Sequence, residues 1–177
     1  MALTRLINQS LTSITALPFG TGKIGQVVTG TNNGYNVSSS STSYTDLLSA
    51  SGTTWETAIT PTATSSKILI LPAVYCRQYR NGSNDARGTF NMMAKIGSGS
   101  YAEIDRAYQW GAYDYGGSGI LQDNQYIPMQ LYSPSTTSEV KIKFQMKCAD
   151  TSMAIEISWG SGDNLHVSRV TLLEVLA

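Results

Sequence analysis

The sequence is poor in charge and carries no net charge. Charged residues make up 14% of the 177 residues, with 12 Lys and Arg against 12 Asp and Glu, whereas an average soluble domain has about 25%. Binding to nucleic acid or to an anionic membrane needs a cationic patch, and no run of Lys or Arg is present. The composition therefore predicts no nucleic-acid and no membrane partner, and it favours protein or sugar.

Long apolar runs and cysteine are also scarce. No stretch of 18 apolar residues occurs, and the first 25 residues are interrupted by polar side chains, so we expect neither a transmembrane helix nor a secretory signal. The protein is then expected to be made and assembled in a cytoplasm. In that reducing compartment Cys76 and Cys148 are expected to be small buried residues and not a disulfide.

Chemically reactive patterns are sparse. The single histidine, His166, has no Cys or carboxylate at a ligand spacing, so it is expected to be structural. Residues 20–25 match the dinucleotide fingerprint, but a strand pattern follows them where that motif needs a helix. Glu103 and Asp105 could form a glycosidase pair on one strand face, yet such spacing is common by chance. We therefore expect no enzyme, no catalytic residues, no cofactor and no metal site.

Residues 1–22 differ from the rest of the chain. Large aliphatic residues stand among Ser, Thr and Asn at a weak helical spacing: Leu3, Leu6, Ile7, Leu11, Ile14 and Leu17. Such a segment has no core of its own, so burial against another surface is favoured over a loose tail. We predict an extended N-terminal docking arm over residues 1–22, with residues 18–22 as a hinge.

From Lys23 onward, apolar residues recur with period two in runs of strand length. The predicted strands are residues 23–29, 55–60, 67–76, 89–96, 125–132, 140–148, 153–159 and 166–176. Two of them place their apolar residues on one face and are expected to be half-buried with that face inward: 89–96 through Phe90, Met92, Ala94 and Ile96, and 125–132 through Ile127, Met129 and Leu131. Turns or polar loops are predicted at 30–34 and 38–43, and no later stretch sustains a helical period. The prediction is all-β: an antiparallel β-sandwich of the jelly-roll type over residues 23–177, with a simple barrel as the alternative.

Three predicted strands carry more detail. Residues 67–76 are apolar on both faces, which predicts cover from the core on one side and from another sheet or subunit on the other. Pro72 cannot donate a ladder hydrogen bond and predicts a free edge or a bulge. The strand at 166–176 is also apolar on both faces. In strand 140–148, core residues alternate with lysines at 141, 143 and 147, which predicts a solvated face.

Five aromatic residues stand close together before a glycine-rich stretch at 116–119. They are Tyr101, Tyr108, Trp110, Tyr113 and Tyr115. Aromatic rings among small polar residues stack on sugars or on protein surfaces at low entropic cost. The pattern predicts either a receptor site or rings that pack a long inter-strand loop or a subunit interface, where Tyr and Trp are also enriched, and the packing interpretation is slightly favoured.

Several stretches, in this order, carry a resemblance to known proteins. They are MALTR at 1–5, GKIGQVV at 22–28, TPT at 60–62 leading to SSKILI at 65–70, YSPSTTS at 132–138, and TLLEV at 171–175. Together they resemble small β-sandwich virion proteins, of capsid decoration or tail fibre type, in tailed phages of marine and freshwater bacteria. That resemblance implies an oligomeric, often trimeric, assembly on the virion and no reaction.

The chain has no shaft between arm and domain, since heptads and internal repeats are absent. A domain joined directly to a short arm suits a knob close to its platform. We therefore expect a capsid decoration or cement protein on the virion surface that assembles as a homotrimer and has the major capsid protein as its partner. The alternative is a short tail fibre or receptor-binding protein that contacts tail proteins and host glycan.

Overall fold

A computed structural model describes residues 23–32, 37–80, 86–112, 122–124, 129–149, 151–158 and 167–176. No helix within these ranges is long and apolar enough to span a membrane. The predicted arm over residues 1–22 lies outside them. The strands in the described ranges are β1 Lys23–Asn32, β2 Val37–Ser39, β3 Thr45–Asp46, β4 Glu56–Ile59, β5 Lys67–Ala73, β6 Cys76–Arg80, β7 Ala86–Ile96, β8 Ala102–Ala112, β9 Gln122–Asn124, β10 Gln130–Tyr132, β11 Val140–Cys148, β12 Met153–Ile157 and β13 Ser168–Leu176.

The strands form three antiparallel sheets. The first sheet has the order β1-β13-β5-β10, the second β3-β11-β7-β8 with β4 also on β11, and the third β2-β12-β6-β9. Pairing runs from the two ends of the chain inward: β1 with β13, β2 with β12, β3 and β4 with β11, β5 with β10, β6 with β9, and β7 with β8. A long hairpin wrapped in this nested way is a jelly roll. The predicted antiparallel β-sandwich is confirmed.

The core lies between the first sheet and the other two. Its strands alternate as predicted, most regularly in β11, where every second residue from Val140 to Cys148 is buried. Phe144 of that strand packs against Trp55 with ring centroids 5.7 Å apart. Cys76 and Cys148 are buried in the same cluster, which confirms the prediction that they serve as small core residues.

Several strand boundaries differ from the prediction. β1 continues through Gly30 to Asn32, where a turn was expected, and β2 lies in part within the expected polar loop. The predicted strand 67–76 is two strands in different sheets, because the chain leaves the first sheet after Ala73 and enters the third at Cys76. A short loop between two strands has no signature of its own in an unbroken apolar run.

β8 is a strand of 11 residues that the alternation did not predict. Its pairing with β7 slips twice, once between Gly88 and Phe90 and once between Met92 and Met93, and each slip inserts an additional residue into β8. Every inserted residue moves the side chains that follow it to the opposite face. The period-two pattern is thereby lost although the strand is intact.

Gly30 marks a close approach between β1 and β4. A Cβ at this position would lie 1.8 Å from Oγ1 of Thr57, which is a buried residue. Glycine inside a strand often indicates such an approach. The contact brings the edge of the first sheet against β4, which belongs to the second sheet.

Candidate interaction surface

The first sheet turns an apolar row of side chains outward. Cross-strand pairing aligns Val27 with Leu173, Leu173 with Leu69, and Leu69 with Leu131, so that one residue from each of the four strands stands in a line. Val27 is 58% exposed and Leu131 is 49% exposed, and Leu69 and Leu173 between them are half-buried. We call these four residues the apolar row.

Further apolar residues flank the apolar row. Ile24 is 49% exposed and Met129 is 70% exposed, while Leu71 and Val175 are half-buried. Neighbouring strands lie about 4.8 Å apart, so the row is about 14 Å across, and the surrounding patch covers on the order of 300 Å². An apolar patch of this size with a polar rim is typical of an interaction site.

The outward face of β5 changes the interpretation of its sequence. Ile68 and Ile70 are completely buried in the core, while Leu69 and Leu71 on the other face stay half-buried. The prediction of cover on both sides therefore holds for the inner face. On the outer face, the described part of the chain supplies no second sheet, so cover by another sheet or subunit stays a prediction there.

The predicted inward face of strand 125–132 was wrong where the structure describes it. Met129 and Leu131 were expected to face the core, but Tyr132 packs there instead, and Gln130 donates a hydrogen bond to the Ile104 carbonyl at 3.2 Å. Alternation then turns Leu131 outward. The apolar residues of this strand belong to the interaction surface.

Pro72 lies at the predicted free edge. It pairs with Val170 of β13 on one side, whereas the pairing of β10 on the other side covers only Ile68 to Ile70. In the described ranges no strand extends β10 alongside Pro72, so its missing N–H breaks no ladder there. Proline at such a position also blocks the addition of a further strand.

Glu174 anchors β1 from the inner side of the sheet. It is completely buried and accepts hydrogen bonds from the Thr62 backbone N–H at 2.6 Å, the Thr62 hydroxyl at 2.7 Å and the Gln26 amide at 2.9 Å. Burial acts to raise the pKa of Glu174, but hydrogen bonds, chiefly from Thr62, lower it to about 2. The carboxylate therefore ties β13 to β1 beside Val27. A charge at an inward position of an apolar strand was the signal that could have revealed it.

The outer face of the second sheet has a different chemistry. The ammonium of Lys143 lies 2.8 Å from both carboxylate oxygens of Asp46 and 4.2 Å from the centre of the Tyr101 ring. Burial acts to raise the pKa of Asp46, but hydrogen bonds from Lys143 and Gln145 lower it. Lys143 is only 9% exposed, so the prediction of a simple solvated face was wrong at this position. Sequence alternation cannot show which charges on a face pair with one another.

Tyr101 is the one predicted aromatic whose side chain the structure describes. The ammonium groups of Lys95 and Lys143 lie 4.8 Å and 4.2 Å from the centre of its ring. Burial raises the pKa of its hydroxyl, and the charge of Glu56 acts in the same direction. The ring is therefore engaged within the sheet. The backbones of Tyr108 and Trp110 lie in β8, but the structure does not describe their side chains. Tyr113 and Tyr115 lie outside the described residues.

Glu103 and Asp105 lie on β8 and have structural partners. Glu103 forms an ion pair with Arg106, and a carboxylate oxygen of Asp105 accepts the backbone N–H of Arg106 at 2.7 Å. The inserted residue between them disturbs the common face that period two predicts. His166 lies outside the described ranges, and within them no group of three or more His, Cys, Asp or Glu is placed to hold a metal ion.

Comparisons with known proteins add little to these observations. No protein-family model matches the chain, and no curated protein matches it. Matching solved structures include a chain from the structure of infectious bursal disease virus, Gx strain. That chain is 10% identical, with a TM-score of 0.30, and the match covers 100% of this chain and 43% of the viral one. The likeness carries no argument at this score, and the phage resemblance stays a prediction.

Proposed function

We propose that the protein is a structural component of a virion, a capsid decoration protein that assembles as a homo-oligomer on the particle surface. The observation that carries the proposal is the apolar row on the outer face of the first sheet. The sequence resemblance to small phage virion proteins supports the virion location, and a homotrimer with the major capsid protein as its platform is the assembly that this resemblance implies.

The apolar row supports an assembly function because exposure of these residues is costly. Removing about 300 Å² of apolar surface from water contributes about 7 kcal/mol at 25 cal/mol per Å². The largest apolar patch on a typical protein is of about this size and is often functional. A protein that binds only to the assembled shell stabilises that shell by mass action, so the proposed role requires no reaction.

The outer face of the second sheet differs from that of the first, and this difference supports the first sheet as the contact side. On the second sheet, Lys143 pairs with Asp46 and its ammonium group lies over the Tyr101 ring. Charges that are already paired have little to gain from a partner. The two outer faces therefore predict one contact side, formed by the first sheet, and one side that tolerates solvent.

The test of the assembly function uses a paired substitution in the apolar row. Val27→Thr with Leu131→Gln removes apolar contact area at the two most exposed positions of the row while it keeps β-branching at Val27. We expect the molar mass in light scattering to fall from oligomer to monomer, and incorporation into particles to be lost. The control is Thr29→Ser with Thr171→Ser, on the same outer face.

The virion location needs its own measurement. Gold-labelled antibody against residues 23–177, applied to intact particles of the source phage, should label the head. Label confined to the tail would support the alternative of a short tail fibre or receptor-binding protein. Absence of label on particles that display their known surface proteins would contradict the virion assignment altogether.

A further inference from the structure

A second copy of the apolar row is an unfavourable partner for it. Two patches of about 300 Å² that pack face to face bury about 600 Å² of apolar surface, so a stable interface of about 1,200–2,000 Å² would also have to bury the polar and charged residues around them. Among the described residues, the exposed charged ones on this face are Lys67 and Arg169, so face-to-face packing would bring like charges together. The row therefore needs an occupant of another kind.

The N-terminal arm has the apolar, uncharged character that a partner of the apolar row requires. Its large aliphatic residues from Leu3 to Leu17 have no core of their own, and residues 6–17 contain no charged side chain. An uncharged apolar segment packs against the row without placing a cation beside Lys67 or Arg169. Apolar burial on both partners is the physical gain.

The arm also joins the domain on the same sheet as the apolar row. It joins the described structure at Lys23, the first residue of β1, which is an edge strand of the same sheet. Ile24 and Val27 are 49% and 58% exposed, so exposed apolar side chains lead from this junction to the row. Leu17 and Lys23 are six positions apart in the sequence, a length of chain that spans about 20 Å when extended. That distance exceeds the width of the row, about 14 Å, and glycines at 20 and 22 permit a reversal.

We propose that the apolar row is the docking site for residues 6–17 of the arm. This inference deepens the proposed function, and it rests on that function in treating the row as the assembly surface. A row covered by the arm of a neighbouring copy links subunits through exchanged arms. A row covered by the chain's own arm presents the arm's other side to the next virion component.

The first test measures protection of the row in the full-length chain. Leu131→Cys places a reactive thiol in the row, and the native cysteines at 76 and 148 are only 3% and 2% exposed. The rate of maleimide labelling is compared with that of a second protein that also carries Leu6→Ser, Ile7→Ser and Leu11→Ser. We expect labelling to be at least about tenfold faster with the polar arm. Docking slows the labelling of the thiol by a factor set by the docking equilibrium constant, and the polar arm removes that protection.

A matched control keeps the apolar residues of the arm intact. Asn8→Ser with Gln9→Ser changes the same segment at polar positions, and labelling of Cys at 131 should stay slow. Fast labelling with the native arm would overturn the inference. Slow labelling that persists with the polar arm and speeds up on dilution would show that a second copy covers the row; the inference would then fail while the assembly function survives.

The second test identifies the contact directly. Oxidation of a protein with Ile7→Cys and Leu131→Cys should form a disulfide within a chain or between two chains, and either product supports arm docking. The control pair is Ile7→Cys with Lys141→Cys, because Lys141 lies on β11 in the other sheet. Equal cross-linking of both pairs would overturn the inference. A monomer that shows no cross-link and no particle binding would contradict the proposed function as well.

Discussion

Replacement of Glu174 by Gln should weaken the attachment of β1 and remove part of the acid sensitivity of the fold. Glu174 is 0% exposed and accepts hydrogen bonds from Thr62 and Gln26. Glutamine has nearly the same shape, but its NH₂ group donates where the carboxylate accepted, so at least one buried donor loses its partner. Loss of a buried charged hydrogen bond costs about 2 kcal/mol, which lowers the melting temperature of a domain of this size by about 4–8 °C.

The pH dependence follows from the lowered pKa of Glu174, about 2 in the folded chain against an ordinary value of 4.5. A carboxyl with a depressed pKa contributes stability that is present above pH 4.5 and is lost as the pH falls toward 2. The contribution is at most about 3 kcal/mol. We expect the wild-type free energy of unfolding to fall through this window, and that of Glu174→Gln to fall less, so that the two proteins converge near pH 2.

Urea unfolding followed by tryptophan fluorescence at pH 7, 5, 4, 3 and 2 measures both effects, since Trp55 lies in the core. Glu139→Gln is the matched control, because the Glu139 side chain is 50% exposed and lies 3.8 Å from Lys141. Its stability should stay within about 0.5 kcal/mol of wild type. Parallel pH curves for wild type and Glu174→Gln would refute the assignment of acid sensitivity to this carboxylate.

Two further predictions concern packing and charge. Gly30→Ala places a Cβ 1.8 Å from Thr57 Oγ1 and should destabilise the fold by about 1–3 kcal/mol; Thr57→Ala in the same chain should restore part of this in thermal unfolding, and strict additivity would contradict the contact. Lys143→Met leaves the Asp46 carboxylate without its cation and should cost about 1–3 kcal/mol. Addition of Asp46→Asn to that variant should cost less than the same change in wild type, and equal costs in the double-mutant cycle would show that the two residues do not interact.

Much of the β-sandwich could be predicted from the sequence because a half-buried strand records its environment in alternate residues. In β11 and β7 the residues predicted to face inward, such as Phe144, Met92 and Phe90, are buried. The same rule failed for β8, where two inserted residues break the alternation. It also failed for β10, whose apolar residues point outward because Tyr132 takes the inward position.

The candidate site could be predicted only in part. Apolar residues on both faces of β5 and β13 indicated that something beyond the core covers these strands. The apolar row itself depends on pairing: Val27 and Leu173 are far apart in sequence and become neighbours only through the register of β1 with β13. Pairing between distant strands leaves no local pattern, and the same holds for the partnership of Lys143 with Asp46.

The nested pairing of strands also sets the order of events during synthesis. Thr29 of β1 meets Thr171 of β13 across a separation of 142 residues, and a ribosome takes on the order of ten seconds to produce that length. Through this interval β1 has no partner strand, and the apolar row does not exist, because half of it comes from β1 and β13. A nascent or C-terminally shortened chain therefore has no complete apolar row, and only chains that have been translated through Leu173 could enter the proposed assembly.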